Sequence, residues 1–166
     1  SEMDRVLDEG VAFDGSSIDG FVRIEESDLI AAPDLSTFRV FPFESGGLKS
    51  AMFICDVLHP DGRPLESDPR RVLRRMIDKA ATAGFDTVNF GPELEYFYFA
   101  NDRDPTPIDS SGYFDLLPLD ASVDARKKTL SVLQSMGIQM EASHHEVAPS
   151  QHEIDYRYGP AMKMAD

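Results

Sequence analysis

Four glutamates are spaced in a way that could hold a cation. In GPELEYFYF (91–99), Glu93 and Glu95 lie two residues apart in a strand-forming run. Both should therefore project from one sheet face, with Phe97 and Phe99 continuing that face inward. Two carboxylates about 7 Å apart at the head of an aromatic row are costly to bury without a cation. In HHEVAPSQHEIDYRY (144–158), a two-residue turn at Pro149-Ser150 would set Glu146 directly opposite Glu153. Like charges facing across a strand pair destabilise it unless a metal lies between them. Oxygen donors of this kind suit Mg²⁺ or Mn²⁺ rather than zinc. A solvated strand edge would also explain a single Glu-x-Glu, and spacing alone leaves the two readings balanced. His144 and His145 are adjacent, so on a strand they point to opposite faces and cannot share one ion without strain. A structural or supporting role fits each of them better. The run is not the helical His-Glu-x-x-His zinc motif.

The elements that must position these residues are legible in outline. SEMDRVLDEG reads as a short helix with Ser1 as cap and Gly10 as stop, followed by the loop-forming VAFDGSSIDGF. Residues 21–33 alternate weakly, 36–43 are strand-like, and LKSAMFICDVLH reads as one largely buried strand ended by HPDGRP. Asp68 and Pro69 open a confident helix along Val72, Leu73, Met76, Ile77 and Ala80, which Gly84 closes. One or two strands over 86–100 lead into a long proline-bearing loop, 101–120. A second helix is predicted from about Ser122 to Met136, then a strand at IQMEAS and a hairpin. The fold class is α+β, with strands in the majority.

Composition narrows the function. The 166 residues carry 30 acidic against 16 basic side chains, a net charge of −14. Such a polyanion repels phosphate backbones and anionic lipid, which argues against nucleic-acid and membrane partners. No apolar run reaches the roughly 20 residues needed to span a bilayer. The single cysteine, Cys55, excludes an internal disulfide framework; with no leader pattern at the start, a cytoplasmic protein is expected.

Taken together, FDGSSIDGF (13–21), EESDL (25–29), GPELEYF (91–97), GYF (112–114) and EASHHEVAPSQHEIDYRY (141–158) resemble glutamine synthetase of the bacterial and archaeal class I type. The motifs keep that family's order and approximate spacing over almost the whole chain. HHEVAPSQHE is similar to the subclass with proline two residues before the glutamine; other members carry one more residue there. The resemblance implies the rear part of a β-grasp domain over 1–64. The start of the catalytic domain, an antiparallel sheet with flanking helices, would follow over 65–166. It implies ATP-dependent ligation of ammonia to the γ-carboxylate of L-glutamate through γ-glutamyl phosphate, with two divalent ions. By position, Glu95, Glu146 and Glu153 would bind the first ion and Glu93 the second. Glu141 and Tyr158 would lie at the nucleotide. Asp14 would bind ammonium and take its proton, Ser17 and Tyr113 are its neighbours, and Asp28 is the acid of the ESD motif. Phe21 and Phe97 read as packing residues.

Family members exceed 400 residues and form double-ring dodecamers in which the Asp14 loop closes a neighbouring subunit's site. The resemblance thus makes this chain an incomplete piece, expected to be inactive and poorly behaved alone. The remaining second-site ligands and the arginines for glutamate and phosphate would lie further on. Two rivals stay open: a relative that ligates glutamate to an organic amine such as a polyamine, and a non-catalytic metal-binding module.

Overall fold

A computed structural model describes residues 1–20, 22–23 and 27–166, so Phe21, Glu25 and Glu26 of the motifs above, with Ile24, lie outside the described residues. In chain order the elements are α1 (Glu2–Glu9), β1 (Val11–Asp14), β2 (Asp28–Pro33), β3 (Arg39–Ser45), β4 (Leu48–Met52) and β5 (Cys55–Leu58). They continue with α2 (Pro69–Thr82), β6 (Asn89–Phe90), β7 (Glu93–Phe97), α3 (Val123–Ser135), β8 (Met140–His145), β9 (Gln151–Tyr156), β10 (Gly159–Pro160) and α4 (Ala161–Ala165). The chain divides into two units, one of residues 1–40, 45–88 and 160–166, the other of 41–44 and 89–159.

In the first unit the expected caps form. Ser1 accepts the Asp4 amide while the Asp4 carboxylate reaches back to the Ser1 amine, a capping box that satisfies two otherwise orphaned donors. Antiparallel strands run in the order β1-β2-β5 around the buried Leu29. Gly15 follows β1 where a Cβ would come within 2.5 Å of the Leu29 side chain, so glycine is required for the Asp14–Ser17 turn to lie against the sheet. Asp68 caps α2 by accepting the Arg70 amide at 3.1 Å and also takes the Val57 amide at 3.2 Å, which ties the helix start to β5.

The single strand expected over 48–59 is two. The Ile54 amide donates to Thr37 Oγ1 at 2.8 Å and its carbonyl accepts from Asp34 N at 2.9 Å. The 34–37 turn thus takes the backbone groups a continuous strand would have used. Only β5 joins the sheet with β2, and the Leu48–Ala51 part of β4 is exposed rather than buried.

The second unit is built on a three-stranded antiparallel sheet in the order β7-β9-β8, so β9 lies in the middle with partners on both sides. Alternation along β9 places Gln151, Glu153 and Asp155 on one face and His152 and Ile154 on the other. The second face is closed: His145, His152 and Ile154 are at most 1% exposed. Much of this interior is polar, with Asp120, Ser122 and Ser150 also fully buried.

Two expectations fail here. The hairpin is not a two-residue turn. Glu146 N donates to Gln151 O at 2.8 Å, and His144, not Glu146, lies opposite Glu153. The connection is the four-residue Val147–Ser150, with Ser150 at φ 58. The face headed by Glu93 and Glu95 also does not lead inward, because Phe97 and Phe99 stack on each other at 6.3 Å yet are 46% and 47% exposed.

Candidate metal centre

Strand register assembles the acidic face directly. Glu95, Glu153 and His144 form one row across β7, β9 and β8, and Glu93, Asp155 and Ala142 form the next. Glu146, one step beyond His144 on the same face, completes the group. Its Oε1 lies 3.0 Å from His144 Nε2, and Glu153 Oε2 lies 3.4 Å from the same nitrogen. Two triads result, His144–Glu146–Glu153 and Glu93–Glu153–Asp155, each with donor atoms within 4.8 Å of one another. Glu153 belongs to both.

The face concentrates negative charge around Glu153. Glu153 is 6% exposed, and burial, with hydrogen bonding to Asp155 and Glu146 and the charge of Glu93 beyond, pushes its carboxyl up to about 8. Glu146 moves the other way, below the usual carboxylate range, because it accepts the Val147 amide at 2.9 Å and neighbours His144. One nitrogen of His144, Nδ1, is buried without a hydrogen-bond partner among the described residues. Carboxylate oxygens crowded together with one imidazole fit a hard divalent ion such as Mn²⁺ or Mg²⁺.

The other predicted residues distribute as follows. Glu95 lies opposite Glu153 but outside both triads, exposed, with the Gln151 side-chain amide on its carboxylate. Glu141 is the extra residue of a bulge between Met140 and Ala142, a device that re-aims a side chain. It lines an open groove of about 710 Å³ with Leu130, Gln134, Ile138, Met140 and Arg157. The Tyr158 hydroxyl accepts from the Asn89 amide at 3.2 Å. Tyr113 sets its ring edge against His144 at 5.3 Å while Phe114 stacks on that imidazole at 4.5 Å. Tyr113 is 59% exposed, so it borders the triad rather than filling a core.

In the first unit Asp14 lies directly across from Asp28 at the ends of β1 and β2. The Asp14 carboxylate accepts the Ser16 hydroxyl at 2.6 Å and the Ser16 amide at 2.9 Å, which hold its pKa below the usual range. Both aspartates are exposed.

Sequence reading missed Asp155 and assigned His144 a supporting role. Asp155 was detectable as the period-two continuation of Glu153. So was His144, two residues before Glu146; the four-residue loop changes only which residue it faces.

The catalytic-domain model of glutamine synthetase matches residues 66–166, and the β-grasp-domain model of the same family matches residues 1–60. A glutamine synthetase of Thermotoga maritima is 52% identical over 163 residues, covering 96% of this chain and 37% of that protein. One from Staphylococcus epidermidis is 48% identical over 170 aligned positions, covering 100% of this chain and 38% of its own length. Among solved structures, a Plasmodium falciparum glutamine synthetase superposes with a TM-score of 0.80 at 28% identity over 98% of this chain and 38% of that one. The chain thus spans less than two fifths of the length of these relatives. Two family models covering nearly every residue, and relatives near half identity, place the chain in the glutamine synthetase family.

Proposed function

We propose that the protein carrying this chain joins ammonia to the γ-carboxylate of L-glutamate at the expense of ATP. The single observation that supports this reading from the structure is the acidic row through β9, where Glu153 is shared by two donor triads and burial with neighbouring acids raises its pKa. In the proposed reaction the γ-carboxylate oxygen attacks the γ-phosphorus of ATP and ADP leaves. Ammonia then attacks the acyl carbon, phosphate departs with the C–O electron pair, and the proton shed by nitrogen passes to a carboxylate or to solvent. Divalent ions, when bound, neutralise phosphoryl charge at this face.

The chain's own residues take the following roles. Glu146, Glu153 and Glu95 hold the first ion, with His144 beside them, and Glu93 with Asp155 holds the second. Glu141 and Tyr158 serve the nucleotide. Asp14, Asp28, Ser17 and Tyr113 serve ammonium. Because Ser16 keeps Asp14 ionised, that residue acts first as a countercharge that collects the ammonium cation, and only weakly as a base. The division at residues 64 and 65 into a partial β-grasp domain and the start of a catalytic domain belongs to this proposal. So do a dodecameric assembly and a cytoplasmic location.

Release of phosphate by the full-length protein with ATP, Mn²⁺ and L-glutamate should depend on ammonium and not on small polyamines. Glu153→Ala should lower that rate by about 100-fold or more. Turnover with polyamines and none with ammonium would select the amine-ligase reading. Calorimetric titration with Mn²⁺ should show weaker binding in Glu146→Ala; identical isotherms would refute its place in the first site and favour the bare metal-binding module.

A further inference from the structure

Beneath the acidic face, on the closed side of the same sheet, Asp109, His145 and His152 bring three donor atoms within 4.8 Å. Their hydrogen bonds argue against a metal ion at these three residues. Both nitrogens of His145 already face acceptors, Nδ1 on the Glu146 carbonyl at 2.6 Å and Nε2 on Asp109 Oδ1 at 3.1 Å. Nδ1 of His152 receives Arg126 Nη1 at 2.9 Å, which leaves the proton of a neutral ring on Nε2, where a ligand would need a lone pair.

The same contacts describe a fastening. Asp109 lies in the long loop before α3, and its side chain is 4% exposed. Its Oδ1 accepts the Ser150 amide at 3.0 Å and the Ser111 amide at 3.3 Å, and its Oδ2 accepts the Ala121 amide at 3.2 Å. In return Ser150 Oγ accepts the Ile108 amide at 2.7 Å and the Asp109 amide at 3.0 Å. Ser150 is fully buried at φ 58, a left-handed conformation that glycine adopts freely and that is strained for a serine. A turn requiring only that geometry would carry glycine. The hydroxyl is what the serine adds, and it satisfies two loop amides.

We infer that Asp109 and Ser150 form a latch that positions the metal-bearing β8–β9 hairpin, fixing Glu146 through the His145–Glu146 carbonyl contact and Glu153 through the register that follows Ser150. Both are positioning residues, since neither touches the acidic face. The inference rests on the metal reading above.

The test is Mn²⁺ titration of the full-length protein, with free Mn²⁺ read by electron paramagnetic resonance. Asp109→Asn, which turns an amide donor toward backbone donors, should weaken Mn²⁺ binding about tenfold or more. Ser150→Gly should weaken it several-fold although it relieves the backbone. Asp34→Asn, which breaks an ion pair in the first unit, should lower the unfolding midpoint and leave Mn²⁺ affinity unchanged. Unaltered Mn²⁺ binding in Ser150→Gly overturns the latch, and this variant decides the matter alone if Asp109→Asn does not fold. If the unsubstituted protein binds no Mn²⁺, the metal reading fails instead. The latch is then judged by amide exchange at Ile108 and Asp109: faster in Ser150→Gly if it exists, equal if it does not.

Discussion

Glu153 concentrates the chemistry of the acidic face in one carboxyl group. Its pKa in the folded chain, about 8, lies above the ordinary 4.5. Between those values the native state keeps a proton that the unfolded chain has released. Stability of the metal-free protein should therefore fall as pH rises from about 4.5 to 8. Urea unfolding at pH 5, 6.5 and 8 in the presence of chelator should show this slope, and Glu153→Gln should flatten it. A slope that persists unchanged in Glu153→Gln would place the titrating group elsewhere. Residues of this face were legible because period-two spacing is enough to assign a strand face, so Glu93 with Glu95 and the membership of Glu153 followed from counting. The latch residues were not. Asp109 and Ser150 stand 41 positions apart, and neither has a local pattern that announces the other.

At the scale of elements, helices declared themselves through their ends and strands through their alternation, but loop chemistry escaped. Asp68 and Pro69 opened α2 where expected because a side-chain acceptor and a missing amide donor are local properties. Asp68→Ala should cost about 1–2 kcal/mol in denaturant unfolding, toward the upper end because the Val57 amide loses its acceptor too. A loss under about 0.5 kcal/mol would mean that the cap is redundant. The hairpin between β8 and β9 was misread by two residues, because a serine with positive φ carries no signal comparable to Asn-Gly. The stretch 48–59 reads as one strand because its apolar run continues through Phe53 and Ile54. Tertiary demand from Thr37 and Asp34 broke it.

At the scale of the whole molecule, charge and apolar surface set the behaviour. Arg70 gathers Asp34 at 2.8 Å, Asp56 at 2.7 Å and Asp166 at 3.0 Å, joining the start of α2 to three other segments of the first unit. Its hydrogen bond, with that of Ser36, holds Asp34 at about 2. The ordinary value is 3.8, so this contribution is complete above that pH and is lost as pH falls toward 2. Arg70→Ala should cost about 2–3 kcal/mol at neutral pH, the carboxylates being partly exposed, and should weaken the acid limb of the stability profile. A second global property comes from the loop ahead of α3. Leu116, Leu117 and Leu119 are 71%, 67% and 61% exposed beside the equally open Tyr113 and Phe114. A contiguous apolar tip of this kind seeks a partner surface. The 166-residue chain should self-associate with rising concentration in light scattering, and Leu116→Asp with Leu119→Lys should suppress this. Association unaffected by the double substitution would assign it to another surface. Composition foretold an ample apolar content, but the described residues bury few large apolar side chains, and polar groups fill much of the second unit's interior.

The alternation of β9 also bears on how such a sequence can vary in length. One residue added between Gln151 and His152 would turn Glu153 and Asp155 into the closed interior and deliver His152 to the open face, abolishing site and interior together. One residue added within Val147–Pro149 changes neither face, because the loop absorbs it before the strand begins. Insertions and deletions among natural and selected variants should therefore collect in those three positions and be absent from the six that follow Ser150.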